Sequence, residues 1–510
     1  MIGSFVAIGG FMFGYQTTIF SGLTAISNST VNGTESEYIR KTGHVPIFLA
    51  GAVLGSLIAG KVGDVLSRIR PLGLFAVIFL LACIPAIFAH LDTLLITRFI
   101  PGKNKHKNIL VMRSTFFFNF SRNSNWCYFR ISTYLSIRSS HVYDRGKIVL
   151  LQQIFITLGI AVSFAIILAI DFVEPDYHQL WRTAIAIQII PACILCIGIF
   201  FLPVSRRWLM LTNLQNEAEA KNILLKLREG DQSEVEEELH RIKREIRGEN
   251  QNVNDNERET TAQSQSIFKD SSLRRRLFLG IGVQIFSQLT GINSIMYYGA
   301  DIFNAAGFNK CEVSVISVVC GVINFFFTLP VAYLLIDKFG RRSLLILGAV
   351  IMAISMLTIG IIGLSSGFPK VDTCGATEYN ISSIAIVVFV CIFIAAFAVS
   401  MGPIQWIYCA EIFPLTKRAI GTSLTTTAHW LANLVVSLLT PYLFFSISFG
   451  IYIIFSILCA IISISVYLFY PETRGVSLEH MDELFREPKL LCLRSNRRLT
   501  VTDDYEQRII

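Results

Sequence analysis

The chain has 510 residues, 53% of them apolar and only 16% charged, with a mean hydropathy of +0.56. A soluble chain of this length carries nearer a quarter charged residues, so the composition argues against a soluble enzyme and places most of the chain in lipid. The net charge of +8 sits in short loops between apolar runs, not in a patch suited to nucleic acid.

A membrane span needs about 20 apolar residues. In chain order, 3–26, 45–66, 72–90, 148–170 and 182–202 meet that requirement, followed by 276–298, 313–336, 343–363, 384–409, 419–444 and 447–470. Met1 leads almost directly into the first of these without a short apolar run and cleavage site, so it reads as a span and not as a removed leader. Basic residues mark one side: Lys61, Arg68 and Arg70; Arg206 and Arg207; Arg274, Arg275 and Arg276; Lys338, Arg341 and Arg342; Lys417 and Arg418. The positive-inside rule makes those loops cytoplasmic and puts both termini inside. Three glycosylation sequons, beginning at Asn28, Asn32 and Asn380, fall on the opposite, outer face.

The 11 cysteines are scattered, mostly inside spans, as small apolar residues are. Cys193 and Cys196 form a C-x-x-C on an apolar helix, where packing is expected in place of redox or zinc chemistry. Cys311 and Cys374 both fall in outer loops and form the candidate disulfide. The sequence calls for no metal and no cofactor.

From 203 to 275 the chain turns rich in Glu, Lys, Asn and Gln, and Glu234 to Arg247 alternates charges as a solvated helix does. This linker separates an N-terminal half (1–202) from a C-terminal half (276–470), with a tail from 471 to 510. The halves echo each other. Asp64 to Arg68 follows the second span and Asp337 to Arg342 follows the eighth; Pro203 to Arg207 ends the sixth and Pro471 to Arg474 the last. The two pairs are separated by nearly equal offsets, which marks an internal repeat.

The most informative stretch is Gln288-Leu289-Thr290-Gly291-Ile292-Asn293, continuing to Tyr297-Tyr298. It places two carboxamides and a helix-breaking Thr-Gly inside a membrane-length segment. Amides both donate and accept, as sugar hydroxyls do, and in hydrocarbon they are costly unless they face a cavity. Together with Gly9 to Tyr15, Gly402-Pro403-Ile404-Gln405-Trp406, Glu411 to Pro414 and Trp430 to Asn433, this stretch resembles the sugar porter family of the major facilitator superfamily. The wording is nearest to fungal-type hexose transporters.

The resemblance implies an all-α integral membrane protein of twelve helices in two six-helix bundles, with substrate bound at the midplane between them. It implies sugar contacts at Gln153, Gln288, Asn293, Asn324 and Trp406, with Asn433 a further one. The Trp406 indole would cover an apolar sugar face. Tyr297 and Tyr298 are candidate outer-gate residues. Gly291, Gly299, Pro403 and Pro414 are candidate hinges. Asp64, Arg68, Asp337, Arg341, Arg342, Glu411 and Arg418 would form a cytoplasmic latch, Glu411 pairing with Arg418, that holds the outward-facing state. The partners implied are a small sugar or polyol and the lipid bilayer, for a monomer in the plasma membrane.

Five departures from the family pattern matter. Gln16 stands where proton-coupled members carry Asp, and an amide cannot cycle a proton, so facilitated diffusion is favoured over proton symport. Ser287 stands in place of a frequent glutamine, His429 in place of a frequent amide, and Gln405 in place of a small residue or proline. The fifth and largest departure is 101–144. A twelfth span is expected near 95–140, yet after Pro101 the chain runs into Lys103, Lys105 and Lys107, then Arg113, Arg122, Arg130 and Arg138, each costing about 2.5–3.5 kcal/mol at a helix centre. Codons for Asn125 to Ser140 can be chosen so that the next reading frame encodes IGAISVSLPIYQSEAA, which has the features of the missing helix. A retained intron with a frameshift is the expectation. As written, the fourth helix would be disrupted, which leaves a defective product beside a non-transporting sugar receptor as alternatives to a carrier.

Overall fold

The computed structural model describes residues 7–19, 49–53, 56, 76–77, 79–81, 83, and then 145–173, 177–199, 270–331, 335–366, 380–414, 417–474 and 485. The expectations at Asn28, Asn32, Asp64, Arg68 and Cys374, the block 101–144, the linker from 203 to 269, and most of the tail lie outside these residues, as do the side chains of Asp337 and Arg418.

All regular structure among the described residues is helical. Beyond helical residues 7–19, the first half contributes α1 (Arg145–Val173), α2 (Tyr177–Ile187) and α3 (Ile189–Ile199). The second half runs α4 (Ser271–Leu289), α5 (Ile292–Ala305), α6 (Lys310–Pro330), α7 (Ile336–Phe339), α8 (Arg341–Ser365), α9 (Ile381–Val399), α10 (Met401–Ile412), α11 (Arg418–Ile447) and α12 (Gly450–Phe469). Among the described residues, six stretches are long and apolar enough to cross a bilayer: Leu150–Ile170, Lys310–Pro330, Arg341–Ser365, Ile381–Ile412, Ile420–Ile447 and Gly450–Phe469. They coincide with six of the expected spans. In lipid every backbone polar group must be satisfied internally, which is why apolar runs of this length become helices.

The helix ends follow local chemistry. Asp270 caps α4 through Ser272 N at 2.9 Å. Asn309 and Glu312 form a reciprocal capping box that starts α6. Asn380 caps α9 with its side-chain oxygen, which leaves its nitrogen, the atom a glycan would occupy, outside that bond.

Two expected spans are broken. The seventh stops at Leu289 and restarts at Ile292, because Gly291 adopts φ +85, a left-handed conformation that L side chains resist. A Cβ at Gly291 would also lie 2.7 Å from the Phe455 ring. A second interruption falls at Tyr298, φ −119 and ψ 16, and not at the expected hinge Gly299. The tenth span breaks at Ser400, φ −118 and ψ −92, just before Gly402-Pro403.

The core of the second half is formed by α8 packed on α9 and α12, with α4 packed on α11. Met352, Met356, Ile359, Phe393, Ile394 and Tyr452 are fully buried there. Leu347, Ile354 and Ile361 on α8 and Ile457, Ile461 and Ile464 on α12 point outward, a lipid-facing stripe at helical spacing. The halves meet where α1 packs on α6. Residues 7–19 cross α1 with almost no side chain between the backbones. A Cβ on Gly14 would lie 2.0 Å from the Ile156 carbonyl oxygen, and one on Gly159 would lie 2.2 Å from the Phe11 carbonyl oxygen.

Candidate substrate site and cytoplasmic ties

The break at Thr290-Gly291 sets a row of polar side chains facing α11. Gln284 and Gln288 are one turn apart on α4; Asn293 and Tyr297 continue the row on α5; His429 and Asn433, also one turn apart, face them from α11. Asn293 Nδ2 donates to Gln288 Oε1 at 2.5 Å. Gln288 Nε2 lies 3.3 and 3.1 Å from the two ring nitrogens of His429. Asn433 Nδ2 donates to the Tyr297 hydroxyl at 3.3 Å, and the Tyr298 hydroxyl donates to the Ser437 carbonyl at 2.8 Å.

Aromatic rings close one end. The Trp406 ring lies 5.0 Å from that of His429, and Trp430 lies 4.5 Å from His429 on its other neighbour contact. Phe13 meets Trp430 edge-on at 5.9 Å, which brings the Gly9 to Tyr15 motif to the same place. Trp406 also packs in a cluster with Leu150 and Ile154 of α1 and Phe325 of α6. Gln153, half-buried, and Asn324, buried, belong to that α1–α6 pair. Thus Gln288, Asn293, Asn433 and Trp406 are brought together directly, through His429 and Tyr297. Gln153 and Asn324 adjoin them through α1 and α6 and, among the described residues, stay outside the hydrogen-bonded group.

Among the described residues, the buried side-chain atoms without a hydrogen-bond partner include the amide oxygens Gln284 Oε1, Gln405 Oε1 and Asn433 Oδ1 and the hydroxyl Ser287 Oγ. Gln284 and Gln405 are adjacent, since Gln284 Nε2 reaches the Gln405 carbonyl at 3.4 Å. Leaving such a group unsatisfied costs about 1–3 kcal/mol. Unpartnered amide oxygens are matched by a ligand rich in hydroxyl donors. Gln284 was not among the expected contacts; only its position one turn before Gln288 could have pointed to it.

A second constellation joins the cytoplasmic helix ends. Arg341 donates to Glu411 at 2.9 Å, and the Thr473 hydroxyl donates to the other oxygen of Glu411 at 2.8 Å. Glu411 therefore engages Arg341 from α8; the expected Glu411–Arg418 pair lies outside the described residues because the Arg418 side chain does. Glu472 accepts from the backbone N–H groups of Arg341 at 2.8 Å and Arg342 at 3.0 Å, so a carboxylate from beyond α12 caps the N-terminus of α8, where the helix dipole favours negative charge. Arg276, read from sequence as a loop cation, is instead wholly buried: it donates to the Ile412 carbonyl at 3.0 Å and lies 4.9 Å from the Phe485 ring.

The model of the sugar (and other) transporter family matches residues 3–485. The chain is 30% identical to a high glucose sensor of Saccharomyces cerevisiae, covering 96% of this chain and 60% of the sensor. It is also 30% identical to a glucose transporter, GlcP, of Staphylococcus epidermidis, covering 94% of this chain and 96% of that one. The structure of the proton:xylose symporter XylE bound to 6-bromo-6-deoxy-D-glucose is similar with a TM-score of 0.73 at 24% identity, covering 95% of this chain and 98% of XylE, a likeness of fold. With the major facilitator fold, the broken seventh span and the family match along nearly its whole length, the chain belongs to the sugar (and other) transporter family, multi-pass membrane proteins and not enzymes.

Proposed function

We propose that the chain carries a monosaccharide, a hexose first of all, across the membrane by alternating access and facilitated diffusion. The observation that carries this reading is the buried row of amides in which Asn293 bonds Gln288, Gln288 meets His429 and Asn433 bonds Tyr297, with the Asn433 Oδ1 acceptor left unpartnered among the described residues. Gln153, Asn324 and Asn433 would complete the contacts. Tyr297 and Tyr298 would gate the outer side, and Arg341, Arg342 and Glu411, with Asp64, Arg68, Asp337 and Arg418, would latch the inner side. Binding that differs between outward- and inward-facing states would shift their populations. Gln16, buried in the first span, supports uniport because an amide takes up no proton. The proposal includes two bundles of 1–202 and 276–470 joined by the 203–275 linker, cytoplasmic termini, a monomer in the plasma membrane, glycans on Asn28, Asn32 and Asn380, and a Cys311–Cys374 disulfide.

A second reading, a sugar receptor without flux, is favoured by the 30% identity to a yeast glucose sensor, of which the chain spans 60%. Uptake of labelled glucose into cells without hexose carriers separates the two, measured for the chain as written and for a version with the reading frame restored across 101–144. The carrier reading predicts saturable uptake by the restored chain without proton co-entry. Trp406→Ala should raise KM about three- to tenfold, the loss of a stacked ring being worth roughly 0.5–1.5 kcal/mol. Binding without uptake would establish the receptor, and equal uptake by both versions would overturn the reading of 101–144.

A further inference from the structure

Gln288 and Asn293 are 5 residues apart in sequence, and on a continuous helix they would point about 140° away from each other. The break at Thr290-Gly291 turns Asn293 into the row of Gln288, where its Nδ2 reaches Gln288 Oε1 at 2.5 Å. Whatever holds the break therefore holds the two amides together. Part of the hold is internal: the Thr290 hydroxyl donates to the Ser287 carbonyl at 2.7 Å and accepts from the Ile292 N–H at 3.4 Å. The rest comes from α12. The Phe455 ring fills the space that a side chain at Gly291 would take, 2.7 Å from the ideal Cβ position. One turn further along the same face, the Cys459 thiol donates to the Thr290 carbonyl at 3.8 Å. In an unbroken helix that carbonyl would take the N–H of Ser294, and inside a membrane a released carbonyl needs another donor. Phe455 and Cys459 are both buried.

We propose that Phe455 and Cys459 are positioning residues: from α12 they brace the break between α4 and α5, and so set the spacing of Gln288 and Asn293 for the ligand. The inference rests on the sugar-carrier reading of these amides. The brace stands on the core of the second half, since α12 packs along α8. Ser456 Oγ donates there to the Ala353 carbonyl at 2.7 Å, and Ser463 Oγ to the Ile346 carbonyl at 3.5 Å. The two side chains act differently. The ring fixes by its bulk the side on which α5 leaves α4, and the thiol supplies a donor to the freed backbone. Without the ring, Gly291 faces a cavity, α5 settles toward it, and Asn293 swings away from Gln288. Neither residue has to touch the sugar, so the effect falls on binding and not on the switch between facing states.

Uptake of D-glucose by the full-length chain, frame-restored across 101–144, tests this. Phe455→Ala should raise KM at least about tenfold with maximal uptake within about threefold, the pattern of a lost binding interaction. Cys459→Ala should raise KM about two- to threefold, and Cys459→Ser, which keeps a donor, should restore the wild-type value. Phe393→Ala, which removes a fully buried ring from α9, controls for damage to the core: it should lower thermal stability as Phe455→Ala does but leave KM within about threefold. An unchanged KM in Phe455→Ala, or an equal rise in Phe393→Ala, would overturn the proposal. If Phe455→Ala does not fold, the thiol decides: equal KM in Cys459→Ala and Cys459→Ser would overturn it.

Hydrogen exchange reads the brace without any sugar. In Phe455→Ala or Cys459→Ala the backbone amides of 289–294 should exchange at least about threefold faster, while those of 276–286 keep their rate. No change, or a rise spread evenly along α4 and α5, would overturn the proposal even if no sugar were bound. The local change, without glucose binding or uptake by the wild-type chain, would refute the carrier reading alone.

Discussion

Gly159→Leu is expected to remove most of the folded protein. A Cβ there would lie 2.2 Å from the Phe11 carbonyl oxygen and 2.9 Å from the Tyr15 nitrogen, and a helix backbone cannot step aside as a side-chain tip can. Overpacking commonly costs 1–3 kcal/mol, and contact with a fixed backbone puts this case at about 3 kcal/mol or more. Residues 7–19 would separate from α1 and carry the Phe13–Trp430 contact away from the site. Gly299→Ala is the control, since its Cβ would meet only the Phe303 ring at 3.7 Å. Thermal unfolding in detergent should show a large loss for Gly159→Leu and little change for Gly299→Ala. Equal stability of the two would contradict the close crossing.

Glu472→Ala should have the next largest effect, on switching more than on folding. One carboxylate holds the N–H groups of Arg341, Arg342, Thr473 and Arg474, and charge-assisted hydrogen bonds contribute about 1.5–3 kcal/mol each. An exposed ion pair contributes only about 0–1 kcal/mol, so Glu472 and the half-buried Arg341–Glu411 pair, not the surface cations, would set the population of the latched state. Glu472→Ala should expose the cytoplasmic ends to a membrane-impermeant reagent and lower maximal uptake about tenfold or more. Glu472→Gln keeps one oxygen acceptor and should lie between. Uptake at the wild-type level in both would show that the cap does not govern switching.

The spans from 310 to 470 were legible because lipid leaves an apolar run of that length little alternative to a helix. The break at Thr290-Gly291 was legible for a local reason, a glycine amid residues that otherwise favour helix. The break at Tyr298 had no such signal; it fell one residue before the glycine that looked like the hinge. Long-range partners were not legible. Glu472 stood out as part of a repeat, but nothing in one dimension ties it to the N–H groups of Arg341 and Arg342, some 130 residues earlier. Arg276 was misread because a cation at the end of a span resembles every other positive-inside residue, whether it faces water or the Ile412 carbonyl. At the site, residue types were readable but their pairing was not: His429 was seen as a departure, and its bond to Gln288 crosses 141 positions.

The most direct measurement is equilibrium binding of labelled D-glucose to the purified full-length chain, frame-restored across 101–144, beside Gln288→Ala. Binding reads the site whether the protein carries sugar or senses it. Saturable binding that Gln288→Ala weakens about tenfold or more, as the loss of one buried hydrogen-bonding amide should, is the expected result. Binding of equal strength in both proteins would place the sugar elsewhere and contradict the assignment of the α4–α5–α11 amides as its site.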